Sequence, residues 1–158
     1  MALLKPGKKW WIYIVDQDNG KGGTAPSNNR EYGGSIKLDG STAEQAPPGP
    51  VSDPLVNPDA YITLDDHGGV RSIFHSHPSG TNSTSSTDNS GTSSSSTIGG
   101  TTTSGHFNSA PSYSPGDVTN SGSKVNYVFS RSTGTVYMYN NTGVLATIPQ
   151  QFFVTPKH

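Results

Sequence analysis

The sequence contains no cysteine, and it is poor in both charged and hydrophobic residues. Of its 158 residues, 13% are charged and 29% are hydrophobic, whereas about 25% of a typical soluble domain is charged. The absence of cysteine excludes disulfide bonds, thiol catalysis and zinc sites with cysteine ligands. The net charge of -1 gives no electrostatic reason to bind nucleic acid or an anionic membrane.

Long apolar runs are also missing. No segment approaches the roughly 20 apolar residues that span a bilayer. The opening stretch lacks the order of a signal peptide, because its lysines precede only a short apolar segment. We therefore expect a soluble chain whose residues 1–158 form a single domain. The compartment stays open, because the chain could be part of a longer exported protein.

The segment from Thr81 to Gly105 has the strongest compositional bias. Of its 25 residues, 17 are serine or threonine and four are glycine. Such a stretch buries too little apolar surface to offset the entropy of ordering it. We therefore predict that residues 81–105 form a flexible loop inserted into the domain.

The rest of the chain predicts a strand-rich fold with few helices. Ser41–Ala46 is the best candidate for a short helix, and the proline-rich stretch Pro47–Pro58 is expected to be loop. Tyr61–Leu64 and Val70–His77 flank a turn-like DDHGG sequence, which predicts a hairpin. Short segments rich in β-branched and aromatic residues predict strands at Trp10–Val15, Gly33–Leu38, Tyr61–Leu64, Val70–His77, Val125–Ser130, Thr135–Tyr139, Val144–Ile148 and, at an edge, Gln150–Val154.

Two histidines at the end of one predicted strand are the most informative residues. His75 and His77 are two positions apart, so their side chains project from the same face of a strand. Pro78 follows and ends the strand at the margin of the sheet. A catalytic zinc needs three protein ligands and an exchangeable water. Without cysteine, the third ligand has to be a carboxylate or another histidine.

These histidines belong to an ordered set of motifs. The chain contains Asn29-Arg30-Glu31-Tyr32-Gly33-Gly34, then His75-Ser76-His77-Pro78-Ser79-Gly80, then Ser114-Pro115-Gly116-Asp117. This order resembles the JAMM (JAB/MPN) family of zinc metalloproteases, and most of all the short JAB-like domains of bacterial polymorphic toxins. The resemblance implies an α/β, strand-rich fold of the cytidine-deaminase-like type, with a central mixed β-sheet.

The resemblance also implies a role for each motif residue. His75, His77 and Asp117 would bind Zn²⁺, whose bound water would be the nucleophile. Glu31 would act as the general base, and Ser114 would stabilise the developing oxyanion. The sequence narrows the choice of base independently, because Glu44 is the only other glutamate and lies in apparent loop.

The spacing departs from the family pattern and leaves a second candidate for the third ligand. Asp117 lies 40 positions after His77, which implies an insertion whose length nearly matches that of the serine- and threonine-rich tract. Ser85 and Asp88 stand at the family's unmodified spacing. We favour Asp117, because Asp88 lies in a segment expected to be mobile, and ordering a mobile ligand costs binding free energy.

The resemblance predicts a zinc-dependent peptidase or isopeptidase that hydrolyses an amide bond in a peptide or protein. Its relatives act on ubiquitin-like modifiers or cell-wall peptides, or serve as toxin domains, and a fold does not choose among these. The alternative is a catalytically inactive JAB-like binding module, in which the long polar insertion and exposed aromatic residues recognise a surface partner.

Overall fold

A six-stranded sheet forms the centre of the molecule. The computed structural model describes residues 10–39, 43–65, 68–90, 97–111 and 116–153. The strands of the central sheet are β1 (Gly33–Lys37), β2 (Ala43–Gln45), β3 (Val70–His77), β6 (Asn126–Ser130), β7 (Thr135–Asn140) and β8 (Gly143–Pro149). A separate pair consists of β4 (Thr81–Ser90) and β5 (Thr97–His106).

The central sheet is mixed. Its order is β2-β1-β3-β6-β7-β8, and β3 and β6 pair in parallel while the other neighbours are antiparallel. Two short α-helices, α1 (Trp10–Val15) and α2 (Asp117–Asn120), occur in the described part of the chain. The expected strand-rich α/β architecture with a central mixed sheet and few helices is confirmed.

Segment Trp10–Val15 was expected to be a strand, and this prediction is wrong because the residues form α1. A short apolar run has no periodicity that separates a buried strand from a buried helix. In α1, Ile12, Ile14 and Val15 are all buried. The helix packs on one face of the sheet, where the Trp11 ring makes edge-on contacts with Phe74, Tyr127 and Phe129.

The two faces of the sheet have separate apolar clusters. The α1 face holds the larger cluster, which includes Phe74 from β3 and Phe129 from β6. On the opposite face, Val118 of α2 packs with Val128 and Tyr139. This smaller cluster fixes α2 against the face of the sheet that carries the two histidines.

The serine- and threonine-rich tract is not irregular, so the predicted loop is corrected to a β-hairpin. Thr81–Ser90 pairs antiparallel with Thr97–His106 over ten residue pairs. Threonine has a high strand propensity, and antiparallel pairing satisfies the backbone groups that face the partner strand without requiring an apolar core. Residues 91–96, which connect the strands, lie outside the described residues. Mobility of the hairpin relative to the rest of the chain remains a prediction.

The other departures are local. Tyr61–Leu64 has no regular secondary structure, so the predicted hairpin with Val70–His77 does not form. Gln150–Phe153 is a 3₁₀ helix and not an edge strand. Within the predicted helix Ser41–Ala46, Ala43–Gln45 forms β2, and residues 41 and 42 lie outside the described part. No helix in the described segments is long and apolar enough to cross a bilayer.

Candidate metal centre

Strand β3 presents His75 and His77 side by side. Alternation along the strand places Ile73, His75 and His77 on one face, while Phe74 points into the α1 core. Both imidazoles are buried, and their ring centroids lie 5.2 Å apart. The same-face geometry expected from the sequence is therefore present at the end of this strand.

Backbone hydrogen bonds place Glu31 beside this pair. The Ser76 amide donates to the Tyr32 carbonyl at 2.7 Å, and the Tyr32 amide donates to Ser76 Oγ at 3.0 Å. The Gly49 amide donates to the Glu31 carbonyl at 2.9 Å. The Glu31 side chain is buried, with Oε1 3.9 Å from Nε2 of His77.

A glycine at the start of β1 permits this close approach. Gly33 lies opposite His75 in the ladder. A Cβ atom on Gly33 would lie 2.9 Å from Cβ of His75 and would also collide with the Phe74 carbonyl oxygen. Any larger residue would therefore push β1, and Glu31 with it, away from the histidines.

Asp117 approaches the histidines from the other side. It is the first residue of α2, and each of its carboxylate oxygens contacts a different imidazole. Oδ1 lies 2.9 Å from Nε2 of His75, and Oδ2 lies 3.2 Å from Nε2 of His77. Glu31 and Asp117 both contact His77, so the chain brings together four side chains that extend over 86 positions in sequence, from residue 31 to residue 117.

The two carboxyl groups differ in their electrostatics. Burial raises the pKa of Glu31 from 4.5 to about 8. Burial acts in the same direction on Asp117, but the His75 and His77 imidazoles outweigh it and hold its pKa well below the usual range. For His75, burial acts to lower the pKa, yet the Asp117 carboxylate raises it to about 9. The metal-free site therefore favours an ionised Asp117 and a protonated Glu31 at neutral pH.

The donor set has the dimensions of a metal site. One ligand atom from each of Glu31, His75 and His77 lies within 4.8 Å of the others, and all three side chains are buried. Adjacent ligands of a tetrahedral zinc ion are roughly 3.3 Å apart, given bonds of about 2.0–2.1 Å. The separations of 2.9 and 3.2 Å between Asp117 and the histidines are close to that value. These residues could hold a metal ion.

Several candidates from the sequence do not join this cluster or cannot be placed. Ser114 lies outside the described residues. Asp88 lies in β4, where its Cα partner is Gly99. The Cα atom of Asp88 is seven residues along the strand from that of Thr81, a distance of roughly 23 Å. The structure therefore shows contact with the histidines for Asp117, the candidate that the sequence favoured.

A buried aspartate that sequence reasoning missed holds the end of β3. Asp18 is completely buried, and its carboxylate accepts hydrogen bonds from the Ser79 amide at 2.6 Å and from Ser79 Oγ at 2.5 Å. The Gly20 amide donates to the same carboxylate at 2.8 Å. The Asp-Asn-Gly sequence at residues 18–20 indicates a turn, but it gives no sign of a partner 61 positions away.

A cavity of about 500 Å³ opens beside the cluster. Glu31, His75 and Asp117 line one end of it. No functional role was predicted from the sequence for segment 59–64, yet this segment forms much of the remaining wall. Apolar residues contribute much of the remaining lining: Ala60, Tyr61, Ile62, Leu64, Ile73 and Tyr139. Asp59, Gly116, Asn120 and Ser121 complete it.

No family model, no curated protein and no solved structure matches this chain. A function therefore has to be argued from the geometry and chemistry of the site.

Proposed function

We propose that this protein is a zinc-dependent metallopeptidase of the JAMM type that hydrolyses an amide bond in a peptide or protein. The convergence of Glu31, His75, His77 and Asp117 carries this proposal. These are the residues that the motif resemblance selects, and they meet in a buried cluster at the end of a cavity. The mixed sheet with few helices is compatible with a JAB/MPN fold, which we include in the proposal.

The geometry supports a division of labour between the two carboxylates. Asp117 places one oxygen against each imidazole, so His75, His77 and Asp117 would hold the metal ion. Glu31 is 3.9 Å from the nearer imidazole and would act on the reacting groups. A bound zinc ion supplies a Lewis acid that polarises the substrate carbonyl and lowers the pKa of water.

Proton transfer is the task of Glu31 in this mechanism. The metal-free site favours a protonated Glu31, and the positive charge of a bound metal ion would favour its ionised form. The Glu31 carboxylate would then accept a proton from the attacking water and deliver that proton to the nitrogen of the scissile amide, which leaves as an amine. Gly33 and the hydrogen bonds at Tyr32 hold the backbone next to Glu31 against β3. Ser114 remains the predicted stabiliser of the oxyanion.

A glutamine substitution tests this mechanism directly. Glu31→Gln keeps the size of the side chain but removes the proton acceptor, so we expect hydrolysis to be abolished and zinc to remain bound. Glu44→Gln is the matched control, because Glu44 is the only other glutamate and forms an exposed ion pair with Lys37. Zinc content and cleavage of a mixed peptide library are measured on both variants. Turnover retained in Glu31→Gln contradicts the mechanism.

A binding module is the second candidate, and hairpin β4–β5 is the observation that favours it. The hairpin is exposed over much of its described surface and starts four positions after His77. Asn82 at its base donates to both carboxylate oxygens of Asp53 at 3.1 Å. Because this polar hairpin starts so close to the candidate metal centre, it could bind a partner protein there, and the site would then hold a partner and not a substrate. Absence of metal binding, with stability unaffected by chelator, would favour this function.

A further inference from the structure

We infer that the cavity beside the metal centre is a subsite for an apolar side chain of the substrate residue next to the scissile amide. This inference rests on the proposed function, because it names the class of peptide that the hydrolase would cleave. The cavity volume of about 500 Å³ lies within the range of small-molecule sites. It has room for one large side chain together with its backbone.

The position of the cavity makes it part of the same site. Glu31, His75 and Asp117 line one end, so a group bound in the cavity touches the proposed reacting centre. Ile73 precedes His75 by two positions on the same face of β3 and therefore continues the floor away from the ligands. A side chain bound over Ile73 would hold its neighbouring amide near the histidines.

The apolar part of the cavity lining is only partly covered. Ile62, Leu64 and Ile73 are half-buried, unlike the fully buried Phe74 and Val128 of the two cores. Because these residues line the cavity, an apolar group bound there would contact them, and covering exposed apolar surface in this way is favourable. The pattern indicates a ligand group that supplies the missing apolar contact.

The charges around the cavity select against an acidic side chain. Three carboxyl groups line it, those of Glu31, Asp59 and Asp117, and no lysine or arginine occurs among its described lining residues. Outside the metal centre, no cationic side chain among the described lining residues would pair with an acidic side chain, and Asp59 adds a like charge. A neutral apolar side chain avoids that cost, so we assign residues such as leucine or phenylalanine to this subsite.

An NMR titration of the full chain tests the assignment with or without metal. The probes are N-acetyl-leucinamide, N-acetylglycinamide and N-acetylglutamate amide, added to zinc-loaded and to chelator-treated protein. We expect the leucine probe to bind about tenfold more tightly than the glycine probe, because burying a leucine side chain favours binding. The glutamate probe should bind no more tightly than the glycine probe. Shifts should centre on residues 60–64 and 73.

Paired tryptophan variants locate the binding. Leu64→Trp should fill the cavity and weaken the leucine probe at least tenfold, whereas Leu38→Trp should not, because Leu38 is 62% exposed elsewhere on the molecule. Ile62→Trp serves as the second filling variant if Leu64→Trp does not fold. Equal affinity for leucine and glycine probes, or undiminished binding in a folded filling variant, would overturn the inference. A wild type that binds no zinc would refute the proposed function and leave this titration interpretable.

Discussion

Replacing Glu31 with glutamine should stabilise the metal-free protein, and it should do so in a pH-dependent way. Burial raises the pKa of this carboxyl from 4.5 to about 8. The folded state therefore binds a proton more tightly than the unfolded state does, and the folded protein loses stability as the pH rises from 4.5 towards 8. Glutamine does not titrate, so the Glu31→Gln variant does not lose folding stability in this way as the pH rises.

The expected size of the effect follows from the pKa values. Each pH unit between 4.5 and 8 costs the folded protein about 1.4 kcal/mol. At pH 7 the wild type has therefore lost roughly 3 kcal/mol relative to its stability at pH 4, through Glu31 alone. This is a large share of the roughly 5–15 kcal/mol that stabilises a typical domain.

Urea unfolding of chelator-treated protein between pH 4 and pH 8 measures this contribution. The free energy of unfolding of Glu31→Gln, minus that of the wild type, should increase with pH by roughly 3 kcal/mol between pH 4 and pH 7. Glu44→Gln controls for the general effect of removing one carboxylate, since Glu44 is exposed. A difference that stays constant with pH would show that Glu31 ionises like an exposed carboxyl, and the reasoning on its burial would be refuted.

Three further predictions concern the scaffold. Asp18→Ala removes the acceptor of two buried hydrogen bonds from Ser79. It should therefore destabilise the protein by about 2–4 kcal/mol in urea unfolding and weaken zinc binding. Unchanged zinc affinity would contradict a role of Asp18 in positioning the end of β3. Gly33→Ala should destabilise the protein by more than about 2 kcal/mol, because the added methyl group overlaps with β3. Gly122→Ala is the control and should have little effect, since its Cβ would meet nothing within 4 Å. Equal destabilisation by the two variants would contradict the close packing of Gly33. Replacing residues 83–104 with a short turn should change the thermal midpoint little, since this hairpin pairs mainly with itself, and a large drop would show that it supports the core.

The strands and the histidine pair could be predicted because each depends on local pattern. Alternation along β3 placed His75 and His77 on one face without any tertiary information. The later strands were bounded by clear turn sequences, and they form close to the expected positions. The motif resemblance predicted that Asp117 lies close to the histidine pair. No local pattern could do so, because Asp117 is 40 positions from His77 in the sequence.

Features that depend on tertiary context were not predictable. Helix α1 is an apolar run whose length and composition suit a buried strand equally well. The segment that forms hairpin β4–β5 predicts a loop because it has very few apolar residues, yet its two halves pair through their backbones. The hydrogen bonds from Ser79 to the Asp18 carboxylate join residues that are 61 positions apart, so only the folded structure reveals them.

Zinc content, measured by elemental mass spectrometry on the wild type, Asp117→Ala and Asp88→Ala, tests the central claim most directly. We predict about one zinc per chain in the wild type and in Asp88→Ala, and none in Asp117→Ala, because Asp117 contacts both histidines. Loss of zinc in Asp88→Ala but not in Asp117→Ala would contradict the assigned ligand set. Absence of zinc from all three proteins, even after zinc is supplied, would contradict the metal centre itself.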